Sequence, residues 1–172
     1  MLKKKIFNIR LEILDIEVPV FGSSFGGVEG KTIIYDLTKI LKGKNCEGKF
    51  RIKKETDSLV GVMESFMIYP HFIRKMIGKG VSIVEDSFVV KCQDSFLRIK
   101  PFLITRKKVH RSVRKALREK AKELITRTFS KATRQKAFQE VLSSHLQKIL
   151  AKKLKKIYPL SVCEIRMMKV EK

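Results

Sequence analysis

The stretch from Lys100 to Thr128, KPFLITRKKVHRSVRKALREKAKELITRT, constrains the fold more than any other part of the chain. Placed on a helix that starts near Val109 or Ser112, the residues Val109, Val113, Leu117, Ala121, Leu124 and Thr128 fall on one face at spacings of three and four. Arg111, Lys115, Arg118 and Lys122 fall on another. One side of this helix is suited to a core, and the other is too densely cationic to be buried.

The excess charge extends beyond that helix. The sequence holds 39 Lys and Arg against 17 Asp and Glu, a formal net charge of +22. A surplus of this size repels itself, so a polyanionic partner is the simplest physical reason to carry it; nucleic acid comes first and a membrane surface second. It is also uneven. From Arg106 onward there are 21 Lys and Arg against five Asp and Glu, whereas residues 1–105 hold 18 against 12. The first part reads as a scaffold and the second as a contact surface. With 44% hydrophobic residues the chain can bury a core, which a disordered sequence cannot.

Lys5 to Val18 alternates apolar and polar residues, but Phe7, Ile9, Leu11 and Ile13 keep one parity while Leu14, Ile16 and Val18 take the other. Such a switch predicts a bulge or bend where a sheet curls, with Pro19 ending the ladder. Further strands are predicted at Thr32–Asp36, Lys49–Glu55, Leu59–Phe66, Gly80–Val84, Ser87–Cys92 and Phe96–Thr105, with turns at 43–45, 56–58, 85–86 and 93–95. Pro70 to Ile77 reads as one short helix stopped by Gly78. About seven strands and one helix therefore occupy residues 1–105. The fold class expected is α+β: a small antiparallel β-barrel, then packed C-terminal helices and a returning strand. Residues 106–172 are the basic helical part, and the two parts form one structural unit. Ser130 to Ile157 continues the helical pattern, broken at Ser143-Ser144 with Ser144 as a new cap, and Pro159 stops it. Ser161 to Val170 alternates as a final strand that returns to the barrel.

Several chemistries are disfavoured. The loop GSSFGGVEGK at Gly22–Lys31, followed by Thr32, is reminiscent of a phosphate-binding loop, but Phe25 occupies the position where that motif needs its first glycine. It also runs into the β-branched Thr32-Ile33-Ile34-Tyr35, not a helix, so a glycine-rich inter-strand loop is the better reading. Cys46, Cys92 and Cys163 are isolated, and His71, His110 and His145 offer no metal-ligand spacing, so reduced thiols and no metal are expected. No paired acid and base or nucleophile set converges, so neither a cofactor nor a small-molecule substrate is expected. No apolar run reaches a membrane span, and the start lacks the apolar core of a signal peptide, which points to the cytoplasm. A membrane-surface helix would carry Trp or Phe opposite its basic face, and Val109 to Leu124 has neither. A DNA-binding module would present a helix-turn-helix or sustained heptads. Lys3, Lys4 and Lys5 form a short basic head, either an RNA contact or a solvated terminus.

The C-terminal block KKIYPLSVCEIRMMKV, Lys155 to Val170, closely resembles the terminal block of the small-subunit ribosomal protein family shared by archaea and eukaryotes, the S-one-e or S-three-a-e family. The similarity runs upstream through Asp94 to Pro101, where the family typically has Asp-Gly-Tyr, one residue, Leu-Arg and then Lys-Pro. It continues through Thr105, Ser112, Arg114-Lys115-Ala116 and Arg118, with an N-terminal echo at Pro19, Phe21 and Gly30-Lys31-Thr32. Ser95 and Phe96 stand where Gly and Tyr are usual, and the N-terminus is shorter than the family's.

The resemblance implies a β-barrel with packed helices, on the platform of the small ribosomal subunit near the messenger exit. It implies contacts with small-subunit ribosomal RNA and neighbouring ribosomal proteins, messenger RNA near the exit among the candidate partners, and no catalytic activity. The candidate RNA-binding residues are Arg106, Lys107, Lys108, Arg111, Arg114, Lys115, Arg118 and Lys122, with Lys155, Lys156, Arg166 and Lys169 second. The resemblance also moves the expected helix start toward Ser112, leaving Arg106 to Arg111 as an extended basic approach. The alternative function is an RNA-binding or RNA-modifying protein outside the ribosome.

Overall fold

The computed structural model describes residues 5–55 and 58–171. Lys3 and Lys4 of the basic head, and Thr56 and Asp57 of one predicted turn, lie outside the described residues. The chain begins with a hairpin: β1 (Lys5–Leu11) and β2 (Ile16–Gly22) pair antiparallel, with Asp15 at φ 54° in the turn between them. The parity switch near Ile13 therefore marks a reversal of the chain between two strands, not the expected bulge or bend within one. Pro19 does not end the ladder either. It sits inside β2 opposite Asn8, and because β2 is an edge strand its missing N–H leaves no partner unsatisfied there.

A single helical turn, α1 (Phe25–Val28), interrupts the glycine-rich loop before β3 (Thr32–Asp36). β3 pairs with β4 (Cys46–Glu55), and β4 pairs along its length with β5 (Ser58–Ile68). Helix α2 (Pro70–Met76) starts on Pro70, whose fixed φ suits a first helical position. β6 (Ile83–Glu85) and β7 (Phe88–Lys91) then share one edge of β8 (Phe96–Thr105). Among the described residues, eight strands thus precede the helical part. From Phe102 to Tyr158 the chain contains neither Gly nor Pro, and three helices follow: α3 (Arg111–Phe129), α4 (Arg134–Leu142) and α5 (His145–Leu154). The break before α5 falls at Ser143-Ser144 as expected. Ser144 adopts φ 57° and makes no side-chain cap bond, so the break is a left-handed turn without hydroxyl capping.

The last strand, β9 (Leu160–Glu171), returns to the sheet and pairs with β8 over its length and with β5 at Ser65–Met67. The sheet runs β2-β1-β5-β9-β8-β6, with β3 and β4 branching from β5 and β7 joining β8. No ladder among the described residues joins its outer strands, so the sheet is open, and this corrects the closed barrel expected. Nor is it wholly antiparallel, since β1 runs parallel to β5 where Arg10 and Leu11 meet Val60 and Gly61. The physical reason is that one edge of the long strand β5 serves two strands, β1 near its start and β9 near its end. The pairing branches instead of closing a ring. Gly61 permits the first of these crossings: a Cβ there would stand 2.5 Å from Leu11 Cδ2.

The principal core cluster joins Phe50, Met63, Phe66, Ile99 and Phe102 of the sheet to Leu117, Ile125, Phe129, Phe138 and Leu150 of the helices. Ile165 and Met168 of β9 lie in the same cluster, and a smaller one gathers Ile9, Val28, Ile52 and Leu59 under the hairpin.

Candidate nucleic-acid interface

The basic helix is held to the sheet by its apolar stripe. Leu117, Ala121, Leu124, Ile125 and Phe129 of α3 are buried, and Val113 and Thr128 are half-buried. Each large member of the stripe contributes about 1.5–3 kcal/mol by leaving water. Burial of this stripe directs the other side outward. At about 100° per residue, Arg111, Arg114, Lys115, Arg118 and Lys122 lie within an arc of about 100°, and all five are exposed.

The approach to α3 is anchored from the sheet. Thr105, fully buried at the end of β8, donates from its hydroxyl to the Lys107 carbonyl at 2.7 Å and accepts from the Ser82 N–H at 3.0 Å. The Ser82 hydroxyl oxygen in turn accepts from the Val109 N–H at 3.1 Å. These bonds hold the segment from Arg106 to His110, bent at Arg106 and Lys107, outside any helix, and the helix starts at Arg111 with His110 in the cap position. The expected start at Ser112 is therefore too late: tertiary anchoring through Ser82, not a local hydroxyl cap, sets the boundary, and the His110 side chain caps nothing.

The second group of cations divides. The Arg106 N–H donates to the Pro159 carbonyl at 3.4 Å, which brings the exposed Arg106–Lys108 segment beside the turn carrying Lys155 and Lys156. Arg166 is the unpaired residue of a β-bulge, because Lys100 pairs with Met167 and Pro101 with Ile165. The bulge aims its guanidinium at Glu85 Oε1, 3.2 Å away, and Arg118 donates to the Glu85 carbonyl at 3.2 Å. Glu85 thus joins α3 to β9. Lys169 is exposed near the far end of β9, about 30 Å along the strand from Leu160. It is not part of the cluster.

Sequence reading assigned no site role to Ser82 or Glu85. Ser82 lay inside a predicted strand and Glu85 in a predicted turn, and only their contacts across the fold reveal what they position. On the flank of α3, Lys120 donates to Glu123 at 2.8 Å and holds its carboxyl below the usual carboxylate range. No group of three or more His, Cys, Asp or Glu side chains among the described residues could hold a metal ion. No helix among them is long and apolar enough to cross a membrane.

The model of the Ribosomal S3Ae family matches residues 27–172. The chain belongs to that family. Among its relatives, the small ribosomal subunit protein eS1 of Nanoarchaeum equitans is 30% identical over 118 residues, which is 67% of this chain and 60% of that protein. Those of Saccharolobus islandicus and Saccharolobus solfataricus are 31% and 28% identical over 144 residues, in each case 83% of this chain and 69% of theirs. The match to the first therefore spans less than two thirds of that relative's length. Ribosomal S3Ae proteins are structural, not enzymes. Within the matched region lie α3, the Ser82–Thr105–Lys107 anchor and β9, so the cationic surface belongs to the part of the chain that defines the family.

Proposed function

We infer that this chain is a structural constituent of the small subunit of the cytoplasmic ribosome, and that it binds small-subunit ribosomal RNA through α3 and the segment before it. The observation that carries this reading is the arc of five exposed cations on α3, continued by Arg106–Lys108 and by the adjacent Lys155–Lys156 turn. Arginine forks suit bidentate phosphate contact, and lysines act as point charges. The folded sheet fixes where those charges sit, so RNA strands that would repel one another can pack closely. Arg166 supports the edge of this surface through Glu85, and Lys169 serves a separate contact. The location this reading takes is the subunit platform near the messenger exit, with neighbouring ribosomal proteins as partners and messenger RNA within reach.

Combined reversal of Arg111, Lys115 and Arg118 to Glu tests the assignment. All three are exposed, and Glu at position 111, in the first turn of α3, is electrostatically favourable; reversal of Arg118 gives up its bond to the Glu85 carbonyl, so circular dichroism is recorded beside incorporation. The variant is expected to keep its circular dichroism and to be lost from sedimenting small subunits; normal incorporation would refute the site. For the free protein, engagement of about seven phosphates weakens binding by about three decades when salt rises fourfold. A flat salt dependence would remove the electrostatic basis of the reading, and sedimentation apart from small subunits would favour an RNA-binding role outside the ribosome.

A further inference from the structure

The cations of α3 and its approach are not equivalent. Lys115 lies 3.8 Å from Glu119, Arg118 is bonded to the Glu85 carbonyl, and Lys122 stands 5.6 Å above the Phe88 ring. Among the described residues no side-chain partner engages Lys108 or Arg114. These two line a cleft with Val109 and His110, and Val81, Ser82 and Ile83 complete its wall. We propose that this cleft takes one unpaired nucleotide of a single-stranded RNA segment, its base against Val81 and Ile83 and its phosphates on Lys108 and Arg114.

Three observations select that occupant. Ile83 is 38% exposed, an apolar side chain beside an otherwise cationic surface. A duplex backbone offers only phosphate and ribose to such a residue, whereas an unstacked nucleotide presents an apolar base face a few ångströms from its own phosphate. No carboxylate lines the cleft, so the charged side chains that line it are cationic and suit an anion. The apolar wall is also rigid before any ligand arrives. The Ser82 N–H is bonded to the Thr105 hydroxyl, its carbonyl to the Thr105 N–H and its hydroxyl oxygen to the Val109 N–H, so both lining segments hang from one set of bonds.

This inference rests on the RNA-binding reading and is tested so that the two fail differently. The full chain is titrated with fluorescent twelve-residue oligouridylate and, separately, with heparin, a polyanion without bases. Ile83→Ser alters no charge. It is expected to weaken oligouridylate binding about fivefold, at the low end of the effect of removing an aromatic stacking partner, and to leave heparin binding unchanged. Arg114→Gln is expected to weaken both ligands and to reduce the salt slope. Equal affinity of Ile83→Ser and the parent for oligouridylate, or an equal loss for both ligands, would overturn the nucleotide site while leaving the electrostatic surface standing. Absence of salt-dependent binding to either ligand by the parent protein would overturn both readings. Independently of any variant, photocrosslinking of 4-thiouridine oligomers to the unaltered chain is expected to mark the peptide containing Val81–Ile83; crosslinks confined to other peptides would refute the site.

Discussion

The three thiols show how a single side chain reports its surroundings. Burial pushes Cys46 up to about 12 and Cys92 up to about 11, and Cys163, half-buried beside the Glu164 carboxylate, is pushed by desolvation up to about 12. A thiolate is the reactive form, so at pH 8 the folded chain is expected to react with a disulfide reagent on the order of a hundredfold more slowly than the chain in denaturant. The linkage to stability has a definite sign. As pH rises past about 9 the unfolded chain loses its thiol protons first, so the folded state binds more protons between about 9 and 12 and stability falls through that window. Urea midpoints measured at pH 8 and pH 10 check it, with a lower midpoint expected at pH 10. Equal reactivity of native and denatured chains would contradict the burial. The isolated spacing of these cysteines was legible in the sequence, but their depth required the assembled core.

Among the elements, α4 is the clearest case of a helix finished by a distant residue. Thr133 occupies its cap position and makes no side-chain cap bond; instead Asp94, in the turn between β7 and β8, accepts from the Arg134 N–H at 2.8 Å. The Gln93 N–H adds a bond to the Ala132 carbonyl at 3.2 Å, so the turn docks on the α3–α4 junction. Asp94→Ala is expected to cost about 1 kcal/mol and to lower the melting temperature by a few degrees, with Asp94→Asn losing less because it keeps an acceptor oxygen. Unchanged melting of Asp94→Ala would mean that the cap contributes nothing. In α3 the apolar spacing was readable directly, because a 3.6-residue period brings Leu117, Ala121 and Leu124 to one side whatever lies beneath them. Its start was not readable, because Ser82, nearly thirty positions earlier in the chain, supplies the bond that holds Val109.

At the scale of the molecule, β9 joins the two parts. Met168 is fully buried, paired with Phe66 on β5 and Ile99 on β8, and the helices between Arg111 and Leu154 are carried back to the sheet by this strand. Met168→Ala is expected to cost about 2–5 kcal/mol. Because sheet and helices share one core cluster, it is also expected to lower a single transition seen equally by helix-sensitive and core-sensitive probes; two separated transitions would show the parts folding independently. Periodicity, breakers and charge, all local properties, determined from the sequence alone that strands precede three helices and a final strand, and that one side of α3 is cationic. Local properties do not say which strand edges meet. That β1 meets β5 in parallel, that the sheet stays open, that a bulge turns Arg166 toward Glu85 and that Val81–Ile83 lines one cleft with Lys108 and Arg114 were decided only by tertiary structure. Each depends on the packing of residues tens of positions apart, where the burial of shared apolar surface, not any neighbour in the chain, selects the arrangement.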